Sequence, residues 1–317
     1  MSDTKQSMPR SIVIAGAGTM GYSMAHIFAQ YGFTVTLYDM AEGALENART
    51  RIAEATDNLI EDGKLDRAQG DALQQRLSYT TDKGCFATFD LLVECIIEDL
   101  AIKHAFFREV SERAKPEAII ATNTSGLSIN ALAETVIRPE RFIGMHWFNP
   151  SNIIPLIEIV RGDATSDATA ATVRDVALAL HKKPVVIAKD VPGFAANRLQ
   201  FAVLREALHL VEEGVVDAQG IDDVMRYGLG LRYACLGPLA IADFGGLDTF
   251  HHIASYLNAD LCCDSKPSAL LEKAYRAGRY GVKSGRGFYD YGDGRDVEAT
   301  RERDAAYLAV ASALYGA

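Results

Sequence analysis

The segment from Ser11 to Asp39 leaves few folds open to this chain. SIVIAG, residues 11–16, is a β-branched apolar run closed by glycine, the pattern of a buried strand. It passes directly into Gly16-Ala17-Gly18-Thr19-Met20-Gly21 and then into YSMAHIFAQYG, whose apolar spacing is helical. Strand, GxGxxG and helix in that order form a dinucleotide-binding turn, and each glycine has a physical task. Gly16 permits the tight turn, Gly18 lets backbone approach a pyrophosphate, and Gly21 lets helix pack on strand. Thr19 and Met20 belong to the same turn, where the helix N-terminus offers free N–H groups to the phosphates. A second strand, FTVTLYD, ends at Asp39, where a carboxylate holds the adenosine ribose hydroxyls. That carboxylate repels a 2′-phosphate, and Met40 rather than an arginine follows it. NAD is therefore expected over NADP.

Farther on, LLVECI (residues 91–96) and AIIATN read as strands on either side of the helix IKHAFFREVSERA. Alternating strands and helices predict an α/β fold with a doubly wound, mainly parallel sheet, whose ligands sit beyond the C-terminal strand ends. Glu98, Lys103, Asn123 and Ser125 all fall just past such ends and outline one rim. Between the second and third of these strands, residues 41–76 read as two charged helical segments with breaks at Gly63 and Gly70. Their Arg49, Arg51, Lys64 and Arg67 fit a solvated face or contacts to an anionic substrate tail.

Ile143 to Val160, IGMHWFNPSNIIPLIEIV, places His146 and Glu158 in one short segment. Two apolar runs flank an NP turn, which predicts strand, turn, strand. Folded back, the carboxylate would sit against the imidazole. A ring so oriented keeps one tautomer and has its cation stabilised, the arrangement of a general base. Trp147 is expected to pack behind His146.

The strand PVVIAKD closes a first domain near Lys189, and Pro192-Gly193 marks the boundary, giving domains of 1–190 and 191–317. The second opens with FAANRLQFAVLREALHLVEEG, a long helix ended by Gly214, and stays helical to about Gly278. Apolar residues spread around several of these helices, which predicts a homodimer through this half.

Composition excludes several classes. At 317 residues two domains are the natural division, and no apolar run approaches the roughly 20 residues that span a bilayer. The leader MSDTKQSMPR lacks the apolar core of a secretory signal, so a cytoplasmic location is expected. The five cysteines form no CxxC, and His251-His252 has no third ligand in view, so no metal is expected. A net charge of −10 disfavours nucleic acid as a partner.

These motifs together resemble the 3-hydroxyacyl-CoA dehydrogenase family from about Ser11 to Tyr291. The markers are GAGTMG with Asp39, VECIIEDLAIK, ATNTSGLSI, HWFNPSNIIPLIEIV, KDVPGFAANR, GPLAIADFGGLD and GVKSGRGFYDY. The resemblance implies a Rossmann-type domain followed by an all-helical domain that commonly mediates dimerisation. It implies NAD-dependent interconversion of an L-3-hydroxyacyl-CoA and a 3-oxoacyl-CoA, a reaction of fatty acid metabolism. It makes His146 the catalytic base and Glu158 its partner, and sets Ser125 and Asn197 at the substrate oxygen. Glu98, Lys103, Asn149 and Lys283 are then expected around the cofactor. Three departures bear on the substrate. Ser125-Gly126 stands where the family has two serines, Asn152-Ile153-Ile154-Pro155 replaces the usual end of the catalytic stretch, and residues 41–76 offer no clear CoA-contacting serine and lysine. HW and IIP are similar to side branches acting on carnitine, gulonate or a pyridine-ring aldehyde without CoA. Acyl-CoA is the first expectation, a small non-CoA hydroxy acid, alcohol or aldehyde the second, and a non-catalytic NAD-binding structural protein the third.

Overall fold

A computed structural model of the chain describes residues 8–315, so most of the polar leader and the last two residues lie outside it. The chain divides into two units, Met1–Asn197 and Arg198–Ala317.

The first unit is built on eight strands: Ser11–Ala15 (β1), Thr34–Tyr38 (β2), Leu77–Thr80 (β3), Leu91–Glu94 (β4), Ile119–Thr122 (β5), Phe142–Trp147 (β6), Leu156–Val160 (β7) and Lys183–Ile187 (β8). They form one sheet in the order β3-β2-β1-β4-β5-β6-β7-β8, parallel throughout except for the antiparallel β6–β7 pair. The helices are Thr19–Gln30 (α1), Glu42–Glu61 (α2), Arg67–Gln75 (α3), Leu100–Arg113 (α4), Ile129–Ala133 (α5) and Asp167–Ala179 (α6), with Ala196–Glu212 (α7) running across the unit boundary. Alternate residues of β1 feed two cores. Ile12 and Ile14 join Met24 and Phe28 of α1 and Val173 of α6, while Val13 and Ala15 join Phe107 of α4 and Ile129 of α5. A strand buried on both faces must be apolar throughout, which is why SIVIA shows no polar alternation. The chain moves outward from β1 to β3 and then returns to β4 on the other side of β1. That reversal opens a crevice beyond the C-terminal ends of β1 and β4.

Three local details differ from the sequence reading. LSYT forms β3, an edge strand of four residues too short to show alternation. Gly70 does not break a helix but lies inside α3, where a Cβ would meet Ile60 Cδ1 at 2.6 Å; glycine there lets α3 close onto α2. The long helix begins at Ala196 rather than Phe194, because Phe194 has a φ of 51°.

The second unit is helical, as expected, with Ala218–Val224 (α8), Gly230–Cys235 (α9), Pro238–Gly245 (α10), Leu247–Leu257 (α11), Ala269–Arg276 (α12) and Arg295–Tyr315 (α13) following the body of α7. Among its described residues Leu208 and Ala311 are the buried apolar side chains, whereas Leu239 and Phe244 are 82% and 83% exposed. No helix among the described residues is long and apolar enough to cross a membrane.

Candidate active site

The nucleotide turn has the geometry its glycines predict. Gly16 adopts a φ of 105°, and its N–H donates to Tyr38 O at 2.8 Å. A Cβ on Gly21 would lie 1.7 Å from Gly16 O, so any side chain would force α1 off the strand. A Cβ on Gly18 would meet nothing within 4 Å, and no side chain caps α1 there. The first N–H groups of α1 are thus left for an anion, as a pyrophosphate requires. Asp39 is held at the end of β2, its Oδ2 accepting from Ala17 N (2.8 Å) and its Oδ1 from Ala41 N (2.9 Å). Open backbone donors beside a fixed carboxylate fit the two halves of an adenosine diphosphate.

His146 and Glu158 are direct cross-strand partners in the β6–β7 ladder. Their side chains meet with Nδ1 to Oε2 at 2.9 Å, and both residues are buried. The other oxygen of Glu158 accepts from Ala195 N (3.0 Å) and Ala196 N (2.9 Å) at the start of α7. Burial pushes the carboxyl pKa up, but the hydrogen bonds from His146 and these two amides outweigh it and hold it below the usual value. An ionised carboxylate only accepts, so Nδ1 donates, and in the neutral ring Nε2 then carries the lone pair. Phe148 and Phe194 flank the ring, with centroids 4.4 and 5.7 Å away. Trp147, the next residue on β6, is buried in the opposite core beside Phe28.

The rim residues come together around two carboxylates. Lys103 is 1% exposed and its Nζ lies 2.5 Å from Glu94 and 3.1 Å from Glu98. Glu98 also accepts from Thr124 Oγ1 and from Ser125 N (3.2 Å). Burial raises its carboxyl pKa, but the Thr124 hydrogen bond and the Lys103 charge bring it below normal. Asn197 donates through Nδ2 to Ser125 O at 2.9 Å, so the two residues expected at the substrate oxygen are adjacent. Asn123 ties the end of β5 to β6 by accepting from Trp147 N at 2.7 Å. Asn149 lies exposed on the β6–β7 connection, and Lys283 lies in the second unit on the turn Val282–Ser284. Sequence reasoning missed Glu94, although a carboxylate inside the run LLVECI was a signal, since a charge in a buried strand needs a partner. It also missed Lys182, which nothing in HKK distinguished from a solvated helix end.

A doubly wound sheet, an open phosphate turn and a carboxylate-held histidine define a dinucleotide-dependent oxidoreductase. The chain belongs to the 3-hydroxyacyl-CoA dehydrogenase family: residues 11–191 match its NAD binding domain and residues 193–291 its C-terminal domain. It is an NAD-dependent enzyme of the kind that acts on CH–OH groups. A probable 3-hydroxybutyryl-CoA dehydrogenase of Deinococcus radiodurans is 42% identical over 279 residues, 88% of this chain and 99% of the relative. The 5-formyl-3-hydroxy-2-methylpyridine 4-carboxylate 5-dehydrogenase of Mesorhizobium japonicum is 37% identical over 310 residues, 98% of this chain and 99% of the relative. A crystal structure of an enzyme of that name, described as an NAD+-dependent dismutase, superposes with a TM-score of 0.90 over 98% of this chain and 99% of the other.

Proposed function

We propose that the protein interconverts an L-3-hydroxyacyl-CoA and the 3-oxoacyl-CoA, with His146 as general base. The observation that carries this reading is the His146–Glu158 pair, 2.9 Å apart and buried beside the nucleotide-binding fold. His146 Nε2 takes the substrate hydroxyl proton, and Glu158 stabilises the imidazolium that forms. Bound NAD supplies the hydride acceptor. Ser125 and Asn197 hold the substrate oxygen in line with Nε2, largely a positioning effect. Glu98, Asn123, Asn149 and Lys283 are assigned to the cofactor, and Lys103 acts on it through Glu98. Residues 1–190 form the NAD-binding domain that carries the base, and residues 191–317 form the helical substrate and dimerisation domain of a cytoplasmic homodimer.

A small non-CoA substrate is the second reading. It is favoured by the structure of the pyridine-carboxylate 5-dehydrogenase, which superposes on this chain with a TM-score of 0.90, against 0.78 for a 3-hydroxybutyryl-CoA dehydrogenase of Escherichia coli. NADH oxidation with acetoacetyl-CoA, set beside small keto acids and pyridine aldehydes, separates the two. Turnover with the CoA thioester supports the first reading; turnover only without CoA replaces it by the second. In either case His146→Gln should lower kcat by about 10²–10⁴-fold and leave NADH affinity unchanged. Full activity in that variant removes His146 from the mechanism.

A further inference from the structure

Between the two members of the catalytic pair runs the connection Phe148–Pro155, and it is anchored from outside. Ser151 Oγ is 2.6 Å from Ser23 Oγ on α1, the helix that opens the nucleotide site. Lys182, between α6 and β8, donates from Nζ to Ser151 O at 2.5 Å and to Ile154 O at 2.9 Å. Its ammonium also lies 5.4 Å from the centre of the Trp147 ring. Lys182 is 7% exposed and forms no ion pair among the described residues. The other buried lysine, Lys103, has two carboxylates.

An ammonium buried without a counter-ion is costly, and an apolar chain of similar length would fill the same space. What that chain would not supply is a donor for the Ser151 and Ile154 carbonyls or a cation for the indole face. Those two carbonyls bracket Asn152 and Ile153, and Asn152 is exposed at the tip. We propose that Lys182 is a positioning residue for the reaction: it sets the shape of Ser151–Ile154 and thereby holds the connection that joins His146 to Glu158. Its effect on activity rests on the dehydrogenase reading above.

Burial lowers the Lys182 pKa to about 8, and no neighbouring charge contributes. On α6, Arg174 and Asp175 pair with each other at 2.8 Å. Helix α1 brings His26, whose pKa burial lowers to about 4, and Tyr31, which burial pushes up. On β7, Glu158 is engaged by His146. Trp147 is the single tryptophan of the chain, so its emission reads this site alone.

The test combines Lys182→Met with a titration of Trp147 fluorescence in the wild type, the variant and His146→Gln. Emission of the wild type should change with a midpoint near pH 8, a transition retained in His146→Gln and missing from Lys182→Met. The Lys182→Met enzyme should lose roughly 10–100-fold in kcat/KM. The fall in wild-type activity above that pH should be absent from its profile. A folded Lys182→Met protein with wild-type kcat/KM overturns the proposal. So does a wild-type emission that stays flat across this range, which decides the matter even where the variant fails to fold. Retained activity in His146→Gln sinks the base assignment instead and leaves the emission result standing.

Discussion

The two units spend their apolar residues in opposite ways. In the first, Phe28, Phe86, Phe89, Phe107 and Phe142 are all less than 2% exposed, packed on one face or the other of a central sheet. In the second, Leu239, Phe244, Leu247 and Leu231 are each at least 60% exposed, although they sit on regular helices. Local helix physics is the same in both: Asp66 caps α3 and Asp217 caps α8, each accepting an N–H at 2.7 Å. The difference is tertiary. A sheet offers two faces on which one chain can bury its own helices, whereas these helices lack such a support and leave large apolar side chains exposed. That contrast is the main support for the homodimer proposed above.

The contrast can be broken in several places. The largest effect is expected from Leu239→Glu combined with Phe244→Glu. Each covered side chain contributes about 1.5–3 kcal/mol, so four of them in a dimer weaken it by roughly 10⁴-fold or more. Sedimentation velocity should then report a monomer, and an unchanged dimer would place the interface elsewhere. Next comes Phe107→Ala in the first unit, expected to cost about 3–5 kcal/mol in urea unfolding followed by sheet-sensitive circular dichroism. Phe244→Ala should move that same transition by less than about 0.5 kcal/mol. Equal losses at the two sites would erase the distinction between the units.

A third prediction follows from His26, 6% exposed on α1 with no partner for Nε2. Burial lowers its pKa from 6.5 to about 4. Between those values the unfolded chain binds the proton and the folded chain does not, so stability falls as pH drops. The loss approaches about 3 kcal/mol across that window. His26→Gln should flatten the dependence; identical acid profiles for variant and wild type would mean the imidazole is not buried neutral. The smallest effects belong to the caps. Asp66→Ala and Asp217→Ala should each cost about 1 kcal/mol, and a much larger penalty in one would show that its helix depends on the cap rather than on packing.

The features legible in the sequence are those written locally. GAGTMG between a β-branched run and a helix fixes turn, helix start and ligand class together, because each glycine answers a steric demand within a few residues. The pairing of His146 with Glu158 was legible because two apolar runs flank a turn; its register was not, since that depends on the ladder. Residues hidden in the sequence owe their roles to distant partners. Lys182 reads as one of three basic residues at a helix end until the fold turns it inward beneath Ser151 and Ile154. Lys103 reads as a rim residue, yet it lies beneath the rim, between Glu94 and Glu98. Gly70 looked like a helix break because glycine usually marks one, and only the approach of Ile60 explains it.

The cross-strand register of His146 and Glu158 has an evolutionary consequence. Their separation is fixed by the hydrogen-bond ladder of β6 and β7, not by the residues that connect them. A slip of one position would turn Glu158 to the far face of the sheet and abolish the pair. Changes confined to Asn152–Pro155 leave the ladder untouched. The His146–Glu158 pair can therefore be inherited intact while the segment beside it is rewritten, provided that the Lys182 contacts to Ser151 and Ile154 still hold that segment in place.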